Sequence, residues 1–171
     1  MNGINAGLLL LRVAVGLTMV AHGYNHVFRG GRIKGTAGWF GSLGMKPGIL
    51  HAWLASLVEL FAGAALVLGF LTPLAAGALA GTMVVALIIN HRKNGFFIFR
   101  PGEGWEYVMN LAAACLALGA IGPGEWSLDH AFDIKFDQLD GWAGLIIAAA
   151  IGIGGGIALL VVFWRPEAPK T

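Results

Sequence analysis

The sequence predicts an all-α integral membrane protein: a four-helix transmembrane bundle plus one extra C-terminal transmembrane helix, with a short interfacial segment after helix one. Three observations predict it. Of the 171 residues, 57% are hydrophobic and only 12% charged, where a soluble domain carries about 25% charged residues. Mean hydropathy is +0.76. Five apolar runs approach the roughly 20 residues of helix that cross a hydrocarbon core of about 30 Å.

The runs are Ala6–Phe28, Leu50–Leu71, Pro73–His91, Trp105–Ile121 and Trp142–Trp164. The first reads as a membrane helix and not as a cleaved leader, because no positive n-region precedes it, Arg12 interrupts it and no A-x-A site follows. Only Leu71-Thr72-Pro73 separates the second from the third, which forces an antiparallel hairpin with Pro73 in the first helical turn. The fourth run is short. The fifth contains no ionisable residue, and Ala148, Gly152 and Gly156 recur along it at four-residue steps. That small-residue stripe suits packing against another helix of this bundle, of a second copy or of a partner subunit.

Positive charge orients the bundle. Arg29, Arg32, Lys34 and Lys46 lie in the first connection, Arg92, Lys93 and Arg100 in the third, and Arg165 and Lys170 in the tail. The opposite side holds only Lys135, with Arg12 inside helix one. The bias predicts an N-terminus outside and a C-terminus in the cytoplasm. The segment Thr36–Gly44, carrying Trp39, Phe40 and Leu43, reads as an interfacial piece, and Phe96, Phe97 and Phe99 read likewise. Residues 122–141 are acidic, with Glu125, Asp129, Asp133, Asp137 and Asp140. Three of these aspartates recur every four residues, as one solvated helix face would. They lack the ligand spacing of a divalent-cation loop.

Function follows from polar groups placed where lipid-facing helices carry none. On a wheel advancing about 100° per residue, Arg12, His22 and His26 share an arc of roughly 80° with small residues beside them. Glu59 lies near the middle of helix two, on a face with Ala52, Ala55, Ser56 and Gly63. Asn90 and His91 end helix three, while Glu106 and Asn110 open helix four. His22, Asn25, His26, Glu59, Asn90, His91, Glu106 and Asn110 are thus expected to line one pocket in the cytoplasmic half, with His22 facing Glu59. Such groups can receive a quinone headgroup, a metal or a haem. No metal site is predicted, since the His22/His26 pair lacks a third ligand fixed by sequence. Plainer roles stand beside these: interfacial histidines reaching water, Glu59 and Glu106 as interhelical hydrogen-bond partners, and Arg12 snorkelling to headgroups. The single cysteine, Cys115, excludes an internal disulfide and a CxxC redox pair. The few, scattered basic residues exclude nucleic acid as a partner.

Several motifs recur in order: Leu11-Arg12 before Gly16, His22-Gly23, Gly35-Thr36-Ala37 ahead of Phe40, and Leu43-Gly44. Val58-Glu59-Leu60 with Gly63, Leu68-Gly69 before Thr72, Asn94-Gly95-Phe96-Phe97, Glu106-Tyr107 and Gly122–Asp129 follow. On these the chain resembles the DoxX family over residues 8 to 130. The resemblance implies a four-helix bundle over residues 1–130, with 131–171 adding the rest of the acidic loop, the fifth helix and the tail. It also implies a redox-linked role, since relatives include a subunit of thiosulfate:quinone oxidoreductase and a membrane partner in oxidant-defence assemblies. Where the family often has a lysine after the His-Gly pair, this chain has Asn25-His26. Three functions compete: a quinone-associated or oxidant-defence component, a non-catalytic accessory subunit or homo-oligomer within a larger membrane complex, and small-molecule or proton transport. The last lacks a visible inverted repeat.

Overall fold

The computed structural model describes residues 2–139 and 141–166. Asp140 and Lys170, both used in the charge pattern above, lie outside the described residues, as does the side chain of Asp137. The spans are α1 (Asn2–Phe28), α3 (Gly48–Leu68), α4 (Thr72–His91), α5 (Glu106–Ile121) and α7 (Gly141–Phe163), with short helices α2 (Arg32–Ser42) and α6 (Leu128–Ala131) between them. Four of these are long and apolar enough to cross a membrane, while α5 has 16 residues. The chain is a multi-pass, all-α membrane bundle.

Helix α4 is its hub, because α3, α5 and α7 all pack on it while α1 pairs with α3. Small residues set these distances. A Cβ at Gly63 would fall 2.8 Å from the Gly16 carbonyl oxygen, so α1 and α3 touch backbone to backbone there. Gly63→Leu is expected to lower stability by about 2–3 kcal/mol through overpacking, measured by thermal unfolding in detergent.

The α7 stripe is occupied in the same manner. A Cβ at Gly152 would lie 2.9 Å from the Gly77 carbonyl, one at Gly156 3.3 Å from the Gly81 carbonyl, and Ala148 is buried. The stripe therefore packs on the chain's own α4, the first of the three alternatives, and not on a second copy or a partner subunit. The fifth helix is built into the bundle.

The two ends are chemically distinct. At one end the Arg165 N–H donates to the Gly44 carbonyl at 2.7 Å, the Trp164 indole to the Leu43 carbonyl at 2.9 Å, and Arg92 stands 5.3 Å over the Trp164 ring. This basic end gathers the first and third connections and the end of α7. The interfacial segment is the helix α2, which packs on α3 and buries Phe40.

At the other end the acidic connection folds onto the bundle. Asn5 exchanges hydrogen bonds with Glu125, 2.7 Å to its carboxylate and 3.1 Å from its amide. That partner explains why α1 starts earlier than the apolar run suggests. The expected aspartate face does not form. Helix α6 ends at Ala131, Asp133 has φ +50°, and a 3-10 turn follows at Lys135–Gln138. Asp129 is wholly buried and accepts from Leu71 N–H at 2.7 Å, Thr72 N–H at 2.9 Å and Thr72 O–H at 2.8 Å. It serves as the N-cap that Leu71 itself cannot supply. Arg12 is also fully buried, donating to the Trp126 carbonyl and opposed in charge by Asp129. It does not snorkel, because the connection covers it: Gly69, the left-handed cap of α3 at φ +64°, and Ser127 press on its guanidinium side.

Candidate functional site

Toward the basic end a side-open cavity of about 230 Å³ lies between α1, α3, α4, α5 and α7. Its lining is mainly apolar. The polar exceptions come from four helices: His22 and His26 on α1, His51 and Glu59 on α3, Thr82 and His91 on α4 and Tyr107 on α5. Heptad-like burial brings them in. On α3, Ala52, Ser56, Glu59 and Gly63 are buried, and His51 joins them one position away.

The α1 seam runs through Val15, Met19 and Gly23, and the next inward position is His26. His26 Nδ1 lies 3.3 Å from Glu59 Oε2. His22 also lines the cavity but is exposed at its rim. The expected His22–Glu59 pairing is thereby corrected: His26 faces Glu59. The reason is Gly23, which lets α1 sit against the Ser56 carbonyl and Leu60, and so turns position 26 inward and position 22 outward.

The His26–Glu59 approach is close without being an aligned hydrogen bond. Both of its atoms remain without a hydrogen-bond partner, and so does Nε2 of His51. Glu59 is 5% and His51 3% exposed. Buried polar atoms without partners are rare, because each costs about 1–3 kcal/mol. Here three of them border one cavity.

His91 is the opposite case, fully bonded. Its Nδ1 is 2.9 Å from the Glu103 carbonyl, which only accepts, so Nδ1 carries the hydrogen. Nε2 then accepts from the Tyr107 hydroxyl at 2.8 Å and from the Asn90 amide at 3.2 Å. This network fixes the tautomer and holds the Tyr107 oxygen at the cavity wall. His91 ends a π-turn at Leu87–His91, and a second π-turn, Ala150–Gly154, brings Ile151 to the cavity. Such turns re-aim side chains and are frequent at functional sites.

Other expected members lie elsewhere. Asn90 supports His91 without lining the cavity. Asn25 lines a separate recess with His26 and Arg29. Glu106 ties down the α4–α5 connection, accepting from Ile98 N–H at 3.1 Å, and exposed Asn110 donates to the Glu106 carbonyl at 2.9 Å. Two members were not anticipated. His51 could have been found from its four-residue steps to Ala55 and Glu59, and Tyr107 from its place beside Glu106. Among the described residues, no three His, Cys, Asp or Glu side chains are grouped to share a metal ion.

No curated protein and no solved structure matches the chain. The DoxX family model matches residues 7–92, half of the chain, from the start of α1 to just past His91. The cavity residues His22, His26, His51, Glu59 and His91 fall inside that match, and the chain belongs to the DoxX family.

Proposed function

We propose that this chain is a redox-linked membrane component that holds a quinone headgroup in the cavity bounded by His26, His51, Glu59 and Tyr107. One observation carries the reading: three buried polar atoms without partners border a side-open, largely apolar cavity in a membrane-embedded bundle. A quinone fits this chemistry. Its two carbonyl oxygens need donors at opposite edges of the ring, and His51 and Glu59 stand two helical turns apart, about 12 Å along α3. Its isoprenoid tail needs an apolar exit, and Leu54 and Ile151 line the cavity while remaining exposed to lipid. A cavity of about 150 Å³ already takes benzene, so 230 Å³ admits a substituted ring. The quinone-linked relatives implied by the family resemblance point the same way.

The chain's own part is to bind and orient the ring and to exchange protons with it. When bound, the quinone supplies the electron-carrying chemistry. By the positive-inside rule the basic end lies in the cytoplasm, which puts the cavity in the cytoplasmic half of a bacterial inner membrane and Asn5 outside. The accessory-subunit reading has lost the α7 stripe as its contact surface.

The test has two arms: solvent extraction of protein purified from native membrane, and titration of quinone-free protein with a short-chain quinone. Trp39 lines the cavity and reports binding through its emission. Bound quinone and saturable quenching with a Kd on the order of 1–10 μM are expected. Absence of both would overturn the proposal.

A further inference from the structure

The cavity has a neighbour on the far side of the His26 ring. A second recess of about 270 Å³ is formed by Asn25, Arg29, Gly35, Thr36 and Trp39 where α1 turns into α2. It belongs to the basic end and its wall is rich in polar groups. His26 lines both spaces. Thr36 fixes the wall between them, its hydroxyl donating to the His26 carbonyl at 2.9 Å. The two ring nitrogens of His26 differ: Nδ1 is buried 3.3 Å from Glu59 Oε2, whereas Nε2 is not among the buried atoms lacking a partner and makes no hydrogen bond.

We infer that His26 is a proton relay between water at the basic end and Glu59. The step balances without electrons. A hydronium ion entering the recess gives its proton to Nε2 and leaves water, forming an imidazolium. The Nδ1 proton then passes to the Glu59 carboxylate, leaving a carboxylic acid and a neutral ring protonated at Nε2. The same steps in reverse, Glu59 returning a proton to Nδ1 while Nε2 gives its own to water, restore the first tautomer. The other titratable groups around these spaces do not make this link. His22 and His51 line the cavity and not the recess, and Arg29 lines only the recess. His91 and Tyr107 are committed to each other. The inference rests on the quinone reading only for where the proton goes next.

The test therefore uses quinone-free full-length protein in liposomes. After a rapid acid jump, the rise of the Glu59 carboxylic C=O band is followed by infrared spectroscopy, the band being assigned by its loss in Glu59→Gln. His26→Phe is expected to slow the rise by about 100-fold. Gly35→Leu should slow it as well by filling the recess that Gly35 lines, and the fold should tolerate it because a Cβ there meets nothing within 4 Å. A wild-type rate in His26→Phe would overturn the relay. A slowed rate in His26→Phe with a wild-type rate in Gly35→Leu would overturn the recess as its source. Should His26→Phe not fold, Gly35→Leu decides alone. Quinone titration of the same samples reads the binding proposal separately.

Discussion

Glu59→Leu is expected to make the empty protein more stable and to weaken quinone binding, a gain in stability set against a loss of function. The carboxyl is 5% exposed and its Oε2 has no hydrogen-bond partner. A buried polar atom left this way costs about 1–3 kcal/mol, and an apolar side chain of similar volume recovers that cost. Thermal unfolding in detergent should therefore show stabilisation of up to about 2 kcal/mol. The ligand loses a hydrogen bond to a group held in a dry wall, so affinity should fall by roughly 10- to 100-fold. A purely structural Glu59 would give the reverse: Leu would destabilise, because the His26 ring would lose the carboxylate 3.3 Å from its Nδ1, and ligand affinity would not move. Glu59→Gln separates shape from acidity. It keeps the volume and hydrogen-bonding capacity, so binding should survive within a few-fold while proton exchange stops.

Much of the fold was legible from composition and run lengths, because lipid exposure enforces long apolar helices with internally paired backbones. The spans fall within a few residues of their expected ends, and the α3–α4 hairpin follows from Leu71-Thr72-Pro73. The gathering of polar groups at the basic end was legible too, since Glu59 and the histidines are costly at that depth. Which of them meet was not. His22 and His26 lie only about 40° apart on a wheel, and the choice between them depends on how closely α1 approaches α3 at Gly23 and Gly63. That distance is a property of the pair of helices. Glu106 and Asn110 failed for a related reason. At a helix start the irregular connection competes for the side chain, and Ile98 N–H claims Glu106. The α7 stripe was correctly read as a packing surface, but its partner could be known only from Gly77 and Gly81 facing it.

The acidic connection was the least legible part, and it carries the second large effect. Asp129→Ala is expected to lower stability by about 3–5 kcal/mol, read as a large drop in unfolding temperature. Three donors, from Leu71 and Thr72, would lose their acceptor inside a wholly buried site. Leu71 holds φ +48°, a left-handed conformation that a branched side chain adopts only under constraint. The constraint is the Asp129 carboxylate gripping its N–H. Arg12 would meanwhile keep its charge, buried beneath the connection, with the nearest opposing carboxylate gone. Asp129→Asn should lose less, because its amide oxygen can still accept from Thr72 while its NH2 faces the Leu71 N–H, donor to donor. The Arg12→Leu background should soften the loss, giving a coupling of about 1–2 kcal/mol in a double-mutant cycle. No coupling, or a loss under about 1 kcal/mol, would mean that the connection is not held by this pair. Combined with Glu59→Leu, by contrast, the effects should add. Glu59 lies ten residues, about 15 Å, along α3 from Gly69, beyond the range at which independent sites interact. Both clusters leave buried polar atoms without partners, Arg12 Nε and Nη1 at one end and His26 Nδ1 and Glu59 Oε2 at the other, but only the second borders a cavity. Additivity there would therefore separate them by role: Asp129 beside Arg12 holds the connection down, and His26–Glu59 faces the space a ligand enters.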